Sequence, residues 1–205
     1  MKDINVLLDY LDELYPDARC ELVYHKDYEL LIATVLSAQC TDKRVNQITE
    51  ILWKKYDIFS LAHADISEVE EIIRPLGSFT KKARYIVQIA QRLVEDYNGK
   101  VPNDRVYLES LPGVGRKTCN VVLSNLFDVP AIAVDTHVER VSKRLSLASK
   151  KDSVQVVEKK LMKKFPEEKW SKLHHQLVLF GRYQCKAVKP ECENCKLKDF
   201  CKYSK

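Results

Sequence analysis

Apolar residues recur at intervals of three and four along almost the whole chain, and this spacing constrains the fold more than any other feature. The first such stripe consists of Ile4, Leu7, Leu8, Leu11 and Leu14. An α-helix places residues three and four apart on one face, so each stripe predicts an amphipathic helix. The one strand-like run, at residues 131–134, has no second run to pair with, and we interpret it as an extended segment. We therefore predict an all-α fold of about ten helices.

The scarcity of glycine agrees with a helical fold and argues against an all-β one. The chain has 5 glycines among 205 residues, whereas all-β folds need many tight turns that commonly use glycine. Its hydrophobic share of 45% is that of a globular protein and excludes a disordered chain. No apolar run approaches the roughly 20 residues that span a bilayer. The acidic start lacks the basic region of a secretory signal, so we expect a cytoplasmic protein that does not contact membranes.

Charge is distributed unevenly along the chain, although the net charge is only +5. Residues 1–30 carry eight acidic and three basic side chains. Residues 74–105 carry seven basic and three acidic side chains, and residues 181–205 carry the same numbers. Two basic segments can form the basic face that is typical of nucleic-acid-binding proteins. Ordinary solvated helix faces would give the same pattern, so the charge alone does not decide between them.

Four of the seven cysteines lie within the last 21 residues, as Cys185, Cys192, Cys195 and Cys201. In a cytosolic protein such clustering favours metal binding over disulfide formation. Zn²⁺ and an iron–sulfur cluster are both compatible with four thiolates. Simple zinc ribbons use two C-x2-C pairs, whereas this C-x6-C-x2-C-x5-C pattern has one pair flanked by single cysteines. The compact arrangement indicates that the four cysteines bind a group larger than a single metal ion, and we predict a [4Fe–4S] cluster.

Lysine residues alternate with these cysteines. They are Lys186, Lys189, Lys196, Lys198 and Lys202. Loops that are fixed by a cluster can present lysines rigidly, and phosphate is their natural partner. A cluster with a purely redox role needs no such lysines.

The most specific stretch of the sequence is Leu108–Thr118, which contains LPGVGRKT. Pro112 ends the preceding helix, Gly113 and Gly115 permit a positive φ and close backbone approach, and a new helix begins near Arg116. Free N–H groups at a helix start bind anions. We interpret the stretch as a helix–hairpin–helix that binds a DNA phosphate without contacting the bases. A tight turn between two helices would use the same glycines.

Two residues are candidates for catalysis. Lys117 lies in the first turn of the second hairpin helix, where the helix dipole and Arg116 should lower its pKa and free the amine for nucleophilic attack. A lysine beside a hairpin is also commonly a plain phosphate contact. Asp135 follows the extended segment and precedes a helix. It is either the N-cap of that helix or a carboxylate held in a dry pocket, and both roles are compatible.

These stretches together closely resemble the endonuclease III family, the helix–hairpin–helix DNA glycosylases with an iron–sulfur cluster. The matching segments are residues 36–42 (LSAQCTD), residues 111–118 (LPGVGRKT), residues 134–137 (VDTH) and the cysteine tail. The resemblance implies two helical domains. One is a six-helix barrel at residues 22–131 that ends with the hairpin. The other joins residues 1–21 to residues 132–205 and carries the [4Fe–4S] loop at residues 185–201.

The resemblance also implies a bifunctional enzyme of base excision repair. Such an enzyme removes oxidised or ring-saturated pyrimidines from double-stranded DNA, with the damaged base flipped into a cleft between the domains. It then nicks the abasic strand by β-elimination through a lysine Schiff base. Lys117 is the implied nucleophile and Asp135 the essential carboxylate. The implied protein is a monomer that associates with the nucleoid.

Further DNA contacts follow from the same resemblance. Gln39 is expected to fill the gap left by the flipped nucleotide. The remaining expected DNA-binding residues are Thr41, Asp42, Gly113, Gly115, Arg116, His137, Lys186 and Lys189.

The sequence departs from the family pattern at Cys40 and Cys119, where relatives often have alanine, and in the loop Leu76–Phe79. Relatives often have a leucine after the glycine, which wedges into the duplex, and the corresponding residue here is Ser78. Either Phe79 takes over that role or the intercalation is weaker.

Two other functions remain as alternatives. A non-catalytic helix–hairpin–helix module would need neither Lys117 nor Asp135. A monofunctional mismatch glycosylase of the same superfamily typically lacks the lysine and carries an additional C-terminal domain.

Overall fold

The structure is a computed structural model that describes residues 4–203. Within that range it contains eleven α-helices and no strand, which confirms the predicted all-α fold. The helices are α1 (Ile4–Leu14), α2 (Asp27–Leu36), α3 (Asp42–Lys55), α4 (Ile58–Ala62), α5 (Ile66–Ile73), α6 (Phe79–Tyr97), α7 (Arg105–Ser110), α8 (Arg116–Phe127), α9 (Thr136–Arg144), α10 (Val154–Lys164) and α11 (Trp170–Leu179). None of these helices is long and apolar enough to cross a membrane.

The chain divides into two compact units. The hairpin unit is Glu21–Phe127, and the terminal unit combines the chain up to Cys20 with the chain from Asp128 onward. The hairpin unit contains the seven helices α2 to α8, one more than the six that were expected. The terminal unit contains α1 and α9 to α11.

The core of the hairpin unit includes α2, whose residues from Tyr28 to Leu36 are all buried. This nearly continuous apolar run behaves as the sequence predicts for a buried helix. Helix α6, by contrast, is amphipathic, and its buried side is formed by Lys82, Ala83, Ile86, Val87, Ile89, Ala90 and Leu93. One member of that buried set is a lysine, an uncommon residue in a core because an ammonium is costly to desolvate.

The core of the terminal unit forms where the two ends of the chain meet. Leu7 and Leu11 of α1 pack with Val138 and Val141 of α9 and with apolar side chains of α10 and α11. Residues 131–134 lie outside any helix or strand and are buried, and Ile132 and Val134 belong to this core. They form no strand, as the sequence predicts for a run that has no second run to pair with.

Side chains at the helix starts explain where several helices begin. Thr41, Asp57, Asp65, Asp104, Asp135 and Ser153 each accept a hydrogen bond from a backbone N–H in the first turn of the following helix. Such N-caps satisfy donors that have no partner within the helix. At the start of α3, Thr41 is the cap and Asp42 is the first helical residue.

Candidate functional site

The hairpin of the hairpin unit joins α7 to α8 through Leu111–Gly115. The N–H of Val114 donates to the carbonyl oxygen of Leu111 over 3.1 Å, and the N–H of Cys119 donates to Gly115 over 2.9 Å. Arg116 and Lys117 occupy the first turn of α8, and both are exposed. The start of α8 is therefore open to solvent, as a phosphate-binding helix start requires.

The two hairpin glycines serve different purposes. Gly113 has φ 77°, in the left-handed region. A Cβ there would lie 2.6 Å from Cδ2 of Tyr85 on α6 and 3.2 Å from Val35 on α2. Gly115 has no positive φ, so of the two hairpin glycines only Gly113 uses this conformational freedom. A Cβ on Gly115 would meet open space. Packing thus requires glycine at position 113. At position 115 the backbone is open, so that a ligand can approach it.

The loop between α2 and α3 carries the next group of predicted residues. Gln39 is exposed at its tip with φ 58°. Thr41 follows as the cap of α3, and its hydroxyl accepts from the N–H of Arg44 over 3.4 Å. Asp42 is the first residue of α3. A side chain in the left-handed region is uncommon outside glycine, and such conformations concentrate at functional sites.

The loop before α6 has a similar backbone. Gly77 has φ 65° and Ser78 has φ 46°, and Ser78 is exposed. Phe79 begins α6, and the guanidinium of Arg74 lies 5.2 Å from the centre of its ring. Ser78 therefore occupies the exposed tip of the loop, whereas the ring of Phe79 is partly covered.

Sequence reasoning missed Lys82, which contacts both of these loops. Its side chain is 6% exposed. Its Nζ donates to the carbonyl oxygens of Ala38 and Leu76, each over 2.9 Å. A signal was present in the sequence, because Lys82 precedes Ile86 by four residues on the apolar stripe of α6.

In the terminal unit, Asp135 is the N-cap of α9. Its Oδ1 accepts from the N–H of His137 over 2.9 Å and from that of Val138 over 2.8 Å. The capping interpretation is therefore confirmed. Both bonds end on Oδ1, so the cap does not use Oδ2.

His137 is held beside a second basic residue of α9. The Nη2 of Arg140 lies 3.2 Å from Nδ1 of His137, and it donates to the carbonyl oxygen of Gly181 over 2.6 Å. Gly181 belongs to a π-helical turn, Phe180–Gln184, that follows α11. A Cβ there would lie 2.9 Å from Cβ of His137. Glycine at this position thus allows the chain before the cysteine loop to pack closely on α9.

The four clustered cysteines share one neighbourhood of the terminal unit. Cys185, Cys195 and Cys201 pack against its hydrophobic core. Burial raises the pKa of the Cys195 thiol, and interaction with the other three thiols raises it further. Among residues 4–203, no three Cys, His, Asp or Glu side chains converge on one ion-sized site.

Two of these sulfurs accept hydrogen bonds. The Nη1 of Arg144 lies 3.3 Å from Sγ of Cys185, and the N–H of Tyr203 lies 3.3 Å from Sγ of Cys201. Ligand thiolates commonly accept such bonds. Four clustered thiols, three of which pack against an apolar core and two of which accept N–H donors, fit an iron–sulfur cluster.

The lysines of this loop are not all available to phosphate. Lys186 pairs with Glu191 over 2.7 Å, and Lys196 pairs with Glu13 over 2.6 Å. Both pairs are solvent-exposed, where an ion pair is weak and exchangeable. Lys189 is exposed with φ 49°.

Comparisons with known proteins agree with this arrangement. The family profile described as HhH-GPD superfamily base excision DNA repair protein matches residues 32–167. The profile described as iron-sulfur binding domain of endonuclease III matches residues 185–201, from the first clustered cysteine to the last. An endonuclease III of Bacillus subtilis (strain 168) is 49% identical over 206 residues, which cover 98% of this chain and 93% of that relative.

Two solved structures are similar over nearly the full length. One is described as a non-covalent endonuclease III–DNA complex, with a TM-score of 0.94, 51% identity, and coverage of 98% of this chain and 94% of that chain. The other is described as a trapped endonuclease III–DNA covalent intermediate, with a TM-score of 0.94, 51% identity, and coverage of 98% and 95%.

The helical fold and the glycine-turned hairpin define a helix–hairpin–helix protein of the base excision DNA repair superfamily. Within it, the chain belongs to the endonuclease III family. It is a DNA glycosylase and abasic-site lyase that binds DNA, and its cofactor is a [4Fe–4S] cluster. The predictions of family, enzyme class and cofactor are confirmed.

Proposed function

We propose that this enzyme removes oxidised or ring-saturated pyrimidines from double-stranded DNA and then nicks the abasic strand, with Lys117 as its nucleophile. The observation that carries the proposal is the position of Lys117. Its side chain is exposed in the first turn of α8, two residues after Gly115, where the backbone faces open space. An amine there lies beside a phosphate-binding helix start and is free to reach a sugar.

The chemistry requires one amine that acts twice. The lone pair of Lys117 Nζ attacks the anomeric carbon, and the bond from that carbon to the base breaks, so the base leaves with the bonding electrons. Loss of a proton from nitrogen and opening of the sugar ring give a Schiff base. The iminium then acidifies the neighbouring sugar proton. Removal of this proton forms a double bond and expels the 3′ phosphate, which nicks the strand.

Asp135 is proposed to stabilise the positive charge that builds on the sugar as the base departs. The capping bonds of Asp135 use Oδ1 alone, and this supports the role because the cap does not occupy Oδ2. The cap fixes the carboxylate at the start of α9. The same side chain therefore holds a helix and presents a charge.

The hairpin is proposed to hold a DNA phosphate. Gly113 and Gly115 bring the backbone close, and Arg116 adds a positive charge at the start of α8. Phosphate contacts orient a protein on DNA without specifying a sequence. This suits an enzyme that must examine many sites.

The other expected DNA contacts are proposed on their exposure and position. Gln39 lies at an exposed loop tip, which supports its role in filling the vacated stack. Thr41 and Asp42 start the following helix, and the half-buried ring of His137 follows Asp135. Lys186 and Lys189 lie in the cysteine loop, where Lys186 would exchange Glu191 for phosphate.

Cys185, Cys192, Cys195 and Cys201 are proposed as the ligands of the [4Fe–4S] cluster. When bound, the cluster supplies a rigid link that fixes the loop and its lysines. The base-excision chemistry is assigned to Lys117 and Asp135. We further propose that the protein acts as a monomer in the cytoplasm, at the nucleoid.

The test is a comparison of Lys117→Gln with Lys117→Arg. Borohydride added to the wild-type protein during turnover on a damaged duplex should trap an enzyme–DNA adduct that survives boiling in detergent. Arginine keeps the charge but stays protonated, so a plain phosphate-contact role would leave Lys117→Arg active. We expect neither variant to form the adduct or nick DNA, and Lys117→Arg to bind DNA as the wild type does. A trapped adduct at wild-type yield in either variant would contradict the assignment.

The alternatives give other results on the same assay. A monofunctional mismatch glycosylase would release bases without an adduct or a nick. A non-catalytic module would bind DNA and release nothing.

A further inference from the structure

Lys82 is a buried lysine whose two identified acceptors are backbone carbonyl oxygens. Its side chain is 6% exposed, so it lies beneath the surface that DNA would touch. Its Nζ donates to Ala38 and to Leu76, which are 44 and 6 residues away in the chain. The contact therefore joins the α2–α3 loop to the loop before α6.

Burying an ammonium is costly, and burial lowers the pKa of Lys82 from its ordinary value. A leucine or methionine would fill the same place on the apolar side of α6 without that cost. What lysine adds is N–H donors for two loop carbonyl groups, through a buried hydrogen bond to Leu76 and a partly buried one to Ala38. The presence of lysine at position 82 is thus explained by its hydrogen bonds to the two loops, because packing in the core alone would not require an ammonium group.

Each acceptor directly precedes a residue in the left-handed region. Ala38 precedes Gln39, with φ 58°, and Leu76 precedes Gly77 and Ser78, with φ 65° and 46°. The backbone N–H of Lys82 also donates to the carbonyl oxygen of Ser78 over 3.0 Å. Strained backbone of this kind persists only where its surroundings fix it. Lys82 supplies that constraint for both loops at once.

We propose that Lys82 is a positioning residue that holds the tips carrying Gln39 and Ser78 at a fixed spacing, so that both enter the duplex together. The inference rests on the proposed function, in which Gln39 fills the stack left by a flipped nucleotide. Flipping a nucleotide costs unstacking energy. A side chain that fills the gap offsets this cost only if it enters the duplex at the position of the missing base. Lys82 touches neither base nor sugar, and it acts through the two carbonyl groups.

The test compares Lys82→Met, Lys82→Arg and Lys81→Met in the iron–sulfur-loaded protein. Methionine keeps the length but removes the donors, whereas arginine restores donors. Lys81 is the adjacent exposed lysine of α6 and serves as the matched control. Three substrates are used: an undamaged duplex, a duplex with one dihydrothymine, and a duplex with a preformed abasic site. A 2-aminopurine opposite the lesion reports unstacking by its fluorescence.

We expect Lys82→Met to excise dihydrothymine roughly tenfold or more slowly in single turnover, because small displacements of positioning groups are costly. Its nicking of the preformed abasic site and its affinity for undamaged duplex should change much less, since no base must be extruded there. The fluorescence rise should fall in parallel with excision. Lys82→Arg should recover part of both signals, and Lys81→Met should match the wild type.

Backbone hydrogen exchange gives a readout that needs no activity. In Lys82→Met, exchange should rise in residues 37–42 and 76–80 together while other segments stay protected. If all segments exchange faster, or if excision and nicking fall equally, Lys82 is merely a structural residue and the proposal is overturned. Wild-type excision by Lys82→Met also overturns it. A wild-type protein that neither excises nor nicks would instead overturn the proposed function.

Discussion

The guanidinium of Arg144, at the end of α9, lies 3.3 Å from the Sγ of Cys185, the first cysteine of the iron–sulfur loop. The same group donates to the carbonyl oxygens of Cys185, Lys186 and Ala187 over 3.3, 2.7 and 3.1 Å. It also lies 3.9 Å from the centre of the Tyr203 ring. One side chain of α9 therefore fixes the start and the end of the cysteine loop.

Replacing Arg144 should loosen the loop. Arg144→Met removes several charge-assisted hydrogen bonds and should cost about 2–4 kcal/mol of unfolding free energy. The expected result is a lower thermal midpoint and faster loss of iron and visible absorbance on exposure to a chelator. Arg144→Lys keeps the charge but cannot span three carbonyl groups, so its iron loss should be intermediate. Wild-type iron retention in Arg144→Met would show that the loop does not depend on this contact.

The two hairpin glycines should respond differently to substitution. Gly113→Ala forces a Cβ against Tyr85 at a left-handed residue and should destabilise the protein by about 1–3 kcal/mol. Gly115→Asp meets open space, so its thermal midpoint should stay near that of the wild type. Its negative charge should weaken binding of damaged and undamaged duplex alike and reduce the salt dependence. Loss of damage discrimination alone would contradict phosphate binding by this hairpin.

Substitutions of Asp135 can separate its role as the N-cap of α9 from its proposed catalytic role. Asn is as good an N-cap as Asp, so Asp135→Asn should fold normally, bind DNA and release the base much more slowly. Asp135→Ala also loses the cap and should cost about 1 kcal/mol of stability in addition. Single-turnover excision and thermal unfolding, measured on both variants, provide the check. Equal excision rates for Asp135→Asn and the wild type would leave Asp135 as a cap only.

His175 on α11 predicts a pH dependence of stability. Burial lowers its pKa from 6.5 to about 4. Below about pH 6.5 the unfolded chain binds a proton that the folded protein does not, so stability falls with pH until about 4. The loss should reach about 1–3 kcal/mol. Unfolding of His175→Gln and the wild type, compared at pH 7 and pH 5, isolates this contribution, because other acid-sensitive groups act on both proteins. An identical loss in both proteins would assign the effect elsewhere.

The sequence by itself determined the local structure of this protein. Apolar spacing predicted the helices, because side chains three and four apart must share a face. Proline and glycine marked the hairpin, and Asp135 marked the start of α9. The C-x6-C-x2-C-x5-C pattern identified the cluster loop because its ligands lie close in the chain. Each of these signals depends on residues within a few turns of one another.

The tertiary structure decided what lies far apart in the sequence. Lys82 meets Ala38 across 44 residues, and Arg144 meets the sulfur of Cys185 across 41. No local pattern encodes such a contact, because it depends on how helices pack and where their loops end. The different roles of Gly113 and Gly115 have the same origin. Tyr85 and Val35 crowd the first glycine, whereas the second faces open space, and periodicity in the sequence carries no information about either neighbourhood.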